Sequence, residues 1–186
     1  MTEPYIIYYE NGNVETKGTL KDGKEHGLWT MYHENGTLEL EVNYIDGEQH
    51  GECIEYYSNG NVRSKESWKN GDANGPSLWY NEEGWLEVEE NMKDGLRDGT
   101  YSEYYKSGKL YMVGNYKNGT NVGKWVWYYE DGSVKREGSY RGHGEKDGRW
   151  VEYDENGKVT KEIHHKYFEN DFEKGEITKV THLKYH

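Results

Sequence analysis

Four of the eight histidines, His164, His165, His182 and His186, fall between 161 and 186, and imidazole is a ready metal ligand. Their spacing matches no zinc pattern. The expected reading of 161–186 is therefore a capping segment over the last sheet edge, with no metal site. Ile163 to Phe172 is expected as an irregular strand or turn, and Ile177 to Tyr185 as a short strand. Glu87, Glu89 and Glu90 cluster, as do Glu39 and Glu41, and paired carboxylates serve glycoside hydrolysis. Acids that alternate along a strand more often form its solvated face, which is the expectation here. Gly119-Thr120-Asn121-Val122-Gly123-Lys124 approaches a phosphate loop but is one residue short and lacks the Ser or Thr after the lysine. No metalloprotease, hydrolase-elbow or calcium-loop motif occurs. The chain is expected to be no enzyme and to use no cofactor.

The residue type that stands out is aromatic. Tyrosines come as doublets, Tyr56-Tyr57, Tyr104-Tyr105 and Tyr128-Tyr129, and neighbours in a strand point to opposite faces. If Tyr56, Tyr104 and Tyr128 pack on one face, Tyr57, Tyr105 and Tyr129 emerge on the other. Trp125 and Trp127 share the parity of Tyr129 and join that face, with Trp79 extending it. These six residues form a candidate binding stripe, because Tyr and Trp dominate interface energetics. The competing expectation is that both faces are simply packed.

These side chains need a scaffold. The chain has 186 residues, a net charge of -12, and 35 acidic against 23 basic residues. High charge with few aliphatics usually reads as disorder. Here 19 tyrosines and 7 tryptophans carry the apolar load. With 24 glycines against 2 prolines, many tight turns are expected. Cys53 is the one cysteine, so no internal disulfide forms, which suits a reducing compartment. It occupies an aromatic position of the repeat, so a packed thiol is expected rather than a nucleophile. Met1 to Tyr9 reads as no signal peptide and no stretch reads as a membrane span, so a cytoplasmic location is expected.

Glycines recur every 24 residues at Gly27, Gly51, Gly75, Gly99 and Gly123, with Gly148 following after 25. The extra residue falls in Arg141-Gly142-His143-Gly144. Five residues after each glycine stands Tyr32, Tyr56, Tyr80, Tyr104, Tyr128 or Tyr153, and nine after stands Gly36, Gly60, Gly84, Gly108, Gly132 or Gly157. Tyr8, Gly12, Val14, Leu20 and Gly23 make a first unit, giving seven. Each unit reads as strand, tight turn, strand, second turn. Asn-Gly in the first turns, as in Asn35-Gly36 and Asn59-Gly60, signals hairpins, because both residues tolerate positive φ. Leu38, Leu40, Val42 and Tyr44 alternate with polar residues, as one face of a strand requires.

The segment Gly123-Lys124-Trp125-Val126-Trp127-Tyr128-Tyr129-Glu130-Asp131-Gly132-Ser133-Val134 resembles the MORN repeat, and the spacing with Tyr44-Ile45-Asp46-Gly47 is similar to the bacterial MORN-variant form. The resemblance covers about residues 5 to 160. The aromatic after the leading glycine is present as Trp29, Tyr101, Trp125 and Trp150, but is Cys53 and Ser77 in two units. The resemblance implies an all-β, elongated, twisted single antiparallel sheet of tandem hairpins over 1–160, with 161–186 as cap. It also implies a binding or scaffolding surface, and bacterial relatives are classed as antitoxin-like.

The expected function is non-enzymatic binding of a protein partner through an acidic, aromatic-rich surface, with a basic toxin or effector as the fitting partner. No nucleic-acid or membrane partner is expected of so acidic a chain. The alternatives are a structural or self-associating scaffold and a carbohydrate-binding module.

Overall fold

The turns set the architecture. Asp22-Gly23, Asp46-Gly47, Asn70-Gly71, Asp94-Gly95, Asn118-Gly119 and His143-Gly144 each put two successive residues at positive φ. Such two-residue loops are type I′ turns, whose twist matches that of paired strands. At the other hairpin ends the geometry differs from the expectation for Asn-Gly. Only the glycine is left-handed there: Gly36 has a φ of 84° and Asn35 is not among the positive-φ residues. The Gly36 N–H donates to the His33 carbonyl oxygen, and the His33 N–H to that of Thr37, both at 2.8 Å. This is a three-residue loop, a type I turn closed by a glycine bulge. Asn35 contributes its side chain instead, whose Oδ1 accepts the Thr37 N–H at 2.9 Å.

The computed structural model describes residues 1–166 and 180–185. The chain divides into two units, Met1–Arg97 and Asp98–His186. The first holds β1 (Thr2–Tyr8), β2 (Val14–Lys21), β3 (Lys24–Glu25), β4 (Gly27–Tyr32), β5 (Leu38–Ile45), β6 (Glu48–Tyr56), β7 (Val62–Lys69), β8 (Asp72–Tyr80) and β9 (Leu86–Lys93). β10 (Leu96–Tyr104) spans the division. The second unit continues with β11 (Leu110–Lys117), β12 (Thr120–Tyr128), β13 (Val134–Gly142), β14 (Glu145–Tyr153), β15 (Val159–Lys166) and β16 (Val180–Tyr185). The chain is all-β, a single antiparallel sheet of tandem hairpins in which strand order is chain order, with short β3 beside β2.

Two irregularities recur in each unit. Next to the leading glycine the register slips. Val113 opposes Val126 and Asn115 opposes Val122, so Gly123, Lys124 and Trp125 together face Gly114. Gly123 has a φ of 64°, which is why the position takes glycine. The second irregularity lies past the first turn. Trp127 opposes Arg136 and Tyr128 opposes Val134, leaving Lys135 unopposed in a bulge. The 25-residue step has its own cause, since Arg141 is skipped between Tyr140↔Lys146 and Gly142↔Glu145.

The array does not stop at 160. β15 pairs with β14 from Tyr153↔Val159 to Gly148↔His165, so Ile163 begins no irregular segment. β16 pairs with β15 from Lys161↔Tyr185 to Lys166↔Val180, where the cap was expected. Residues 167–179, within which the rest of the irregular segment was expected, and His186 lie outside the described residues, as does the His182 side chain.

Candidate binding surface

The aromatic face is built by size complementarity across strands. Trp125 lies over Gly114 and Trp150 over Gly138, and a Cβ on either glycine would fall inside the indole. In the first unit Gly18 does the same for Trp29. The rings then touch each other. Trp125 meets Tyr101 at 6.0 Å, Tyr116 at 5.4 Å, Tyr140 at 5.9 Å and Trp127 at 6.0 Å between centroids. Tyr140 meets Trp150 edge-on at 4.9 Å. Such tilted and edge-to-face pairs contribute about 0.5–1.5 kcal/mol each beyond area burial. In two units a larger residue stands at the opposing position and the ring is replaced. Val42 opposes Cys53, and Glu66 opposes Ser77.

The six residues of the candidate stripe take different places. Trp125 and Trp127 are 3 % and 9 % exposed. Their faces are covered by neighbouring rings and by the Arg136 guanidinium, 3.9 Å from the Trp127 centroid. They belong to the core of the second unit with Tyr101 and Trp150. Trp79 is half-buried, between Ser64 and Val88 in register. Tyr57, Tyr105 and Tyr129 are half-buried and spend their hydroxyls within the sheet. Tyr57 donates to the Tyr80 carbonyl oxygen at 2.8 Å, Tyr105 to that of Tyr128 at 2.7 Å, and Tyr129 to that of Tyr153 at 2.9 Å. Tyr9 does the same with Tyr32 at 2.7 Å. Each second tyrosine of a doublet thus latches its hairpin to the next. Sequence reading missed this role, and the signal for it is the doublet itself: where a unit has Tyr32-His33 the partner hydroxyl is absent.

The opposite face is polar and internally paired. Lys124 Nζ lies 2.7 Å from Glu137 Oε2, and Tyr153 donates to Glu137 at 2.9 Å. The Lys124 ammonium holds the Glu137 carboxyl below its ordinary pKa, against some desolvation. Arg149 donates to Glu162 at 2.8 Å, and with His164 it brings the Glu162 pKa down to about 2.

In the first unit Trp29, Val42 and Cys53 form the buried cluster, flanked by Leu20, Leu40, Tyr44 and Trp68. Burial, then the nearby Glu66 and Glu55 carboxylates, push the Cys53 thiol up to about 12. A thiol so poised is a poor nucleophile. Burial, then Glu55, also raises Glu66. Among the described residues, no group of three or more His, Cys, Asp or Glu is arranged to hold a metal ion.

Clefts open between successive hairpins on the aromatic face. In the second unit one of about 390 Å³ is walled by Tyr111, Trp127 and Tyr129, with Lys135, Arg136, Glu152 and Asp154 beside them. In the first unit one of about 180 Å³ has Met31, His33, Glu39 and Leu40 at the same repeat positions.

Serial hairpins, iterated glycine bulges and a shared ring column define a tandem-repeat β protein. The chain belongs to the MORN repeat variant family, matched at residues 4–22, 25–46, 49–70, 73–94, 97–118, 121–141 and 146–167. Five of the seven matches end on the first residue of a type I′ turn, at Asp22, Asp46, Asn70, Asp94 and Asn118. No curated protein matches the chain. Among solved structures, a porin-like protein from Bacteroides uniformis ATCC 8492 aligns over 100% of this chain and 96% of its own, at 8% identity and a TM-score of 0.22. A likeness that weak bears on neither fold nor function.

Proposed function

We propose that this chain is a non-catalytic module that binds a basic protein partner. The observation that carries the reading is the placement of exposed carboxylates on the three-residue turns. In the first unit these are Glu10, Glu34, Glu82 and Glu83; in the second, Glu130, Asp131 and Glu155. The type I′ turns mix signs, as in Lys21-Asp22 and Lys93-Asp94. Glu10 and Glu34 lie on successive three-residue turns, as do Glu130 and Glu155, two strands or roughly 10 Å apart and about one Debye length at 0.1 M salt; the turns Ser58-Asn59-Gly60 and Lys106-Ser107-Gly108 carry no carboxylate. Within each unit the neighbouring acidic turns therefore add their fields and steer a cationic surface inward. Neutralisation of a basic toxin or effector is the finer form of this reading, supported by the charge and by the repeat scaffold. Affinity purification with the full chain from its source cells tests it. The expected result is one stoichiometric protein of basic character; recovery of none overturns the proposal.

A second reading, self-assembly, has one observation in its favour. Every residue of edge strand β1 is exposed, including Tyr5, Ile6, Ile7 and Tyr8, and open edges template strand addition. Sedimentation that stays monomeric across a wide concentration range removes it.

A further inference from the structure

Consecutive residues of a regular strand face opposite sides. Lys135 and Arg136 do not, because Lys135 is the unopposed residue of the β13 bulge. Both therefore line the 390 Å³ cleft, against an apolar wall of Tyr111, Trp127 and Tyr129. The corresponding bulge in the first unit brings Glu39 and Leu40 to the smaller cleft. The repeat thus makes the cleft, and the sequence of each unit decides what lines it.

The two cations are uncommitted. Arg136 lies over Trp127 at 3.9 Å and 5.8 Å from the Trp150 centroid, and Lys135 lies 5.4 Å from that of Tyr129. Neither forms an ion pair among the described residues, and the buried Arg136 Nε has no hydrogen-bond acceptor. Two carboxylates also line the cleft, Glu152 standing opposite Arg136 in register. Asp154 Oδ1 accepts the N–H groups of Asn156 and Lys158 at 3.0 and 2.9 Å, and Glu152 lies 3.9 Å from Lys161 Nζ. A guanidinium stacked on a ring keeps its in-plane donors for a planar anion. The cleft volume is in the range of small-molecule sites.

We infer that this cleft binds a carboxylate carried on a ring, the carboxylate held by Arg136 and Lys135 and the ring by the tyrosine wall. A free phosphate has no apolar part to use that wall. An aryl acid and a sugar acid share the required chemistry. The site does not depend on the protein partner proposed above.

Amide and indole NMR of the full chain, titrated separately with benzoate, glucuronate, benzyl alcohol, glucose and inorganic phosphate, tests this. One or both ring acids should saturate, with shifts centred on Trp127, Tyr129, Lys135 and Arg136 and absent at Met31, His33 and Glu39. The neutral analogues should bind about tenfold more weakly or worse, a loss of about 1.4 kcal/mol. Lys135→Gln, at an exposed position, should weaken binding about threefold or more, and Arg136→Lys about tenfold, the fork being lost while the charge stays. The stronger acid identifies the source. Failure of both acids to saturate, equal binding of neutral analogues or of phosphate, or indifference to Lys135→Gln would each overturn the assignment. The lysine variant keeps the test decisive if the arginine variant does not fold.

Discussion

The hydroxyl of Tyr105 donates to the backbone carbonyl oxygen of Tyr128, 2.7 Å away and 23 residues further along the chain. Tyr57 and Tyr80 are related in the same way within the first unit. A neutral hydrogen bond of this kind contributes about 1 kcal/mol net. Tyr105→Phe and Tyr57→Phe should each lower unfolding free energy by that amount in urea melts. The sites share no partner, so the double variant should lose the sum.

The hairpin that carries Tyr32-His33 lacks the latch, and its His33 Nε2 is buried without a hydrogen-bond partner. His33→Tyr restores the doublet. It should raise stability by about 1 kcal/mol, read as a shift of the urea midpoint.

Gly114 is the seat of Trp125. Gly114→Ala forces a methyl into the indole and should cost about 3 kcal/mol. Trp125→Ser creates at this step the small residue that Ser77 already provides against Glu66. The double variant Gly114→Ala/Trp125→Ser should therefore lose less than the two single losses combined. Strict additivity in a denaturation cycle would contradict the packing described here.

Cys53, with its thiol at about 12, presents roughly one thiolate in ten thousand at pH 8. Iodoacetamide at pH 8 should leave it unmodified in the folded chain and label it fully in urea. Rapid labelling without denaturant would show the cluster of Trp29, Val42 and Cys53 to be open.

The Glu66 carboxyl is raised by desolvation first and by the Glu55 carboxylate second. A raised carboxyl favours the protonated fold. Its stabilising contribution is therefore complete below the ordinary carboxylate pKa and is lost as pH rises through the raised value. Glu66→Gln should stabilise the chain at pH 7 and change little at pH 4. The comparison is a pair of urea melts for each protein; a larger gain at pH 4 would reverse the sign.

The period and the hairpins were legible because turn chemistry is local: glycine after Asn or Asp, repeated at fixed steps, leaves few options. The assignment of turn types was not. Asn35-Gly36 satisfies the pattern for two positive φ values, yet the additional residue Glu34 makes it a three-residue loop in which Asn35 caps through its side chain. Parity correctly grouped Trp125 with Trp127, whose rings meet. Parity is silent on whether a face is covered, and these two rings proved buried. Part of the missing signal was present eleven residues upstream, where Gly18 and Gly114 precede Trp29 and Trp125 while Val42 and Glu66 precede Cys53 and Ser77; Glu90 before Tyr101 breaks the pattern. The cleft cations were invisible for another reason. Lys135 and Arg136 share a side only because of a bulge, and a bulge is a register event that neither residue's type announces.

The charge of the three-residue turns is the feature on which the binding role rests. The decisive measurement is the salt dependence of affinity for the partner isolated with the full chain. The wild-type chain is compared with a variant carrying Glu34→Gln, Glu82→Gln, Glu130→Gln and Glu155→Gln. Affinity of the wild type should fall about tenfold or more between low and physiological salt, and the variant should bind weakly and with a flattened response. Equal affinity and equal salt response in the two proteins would show that the carboxylates on these turns take no part in recognition.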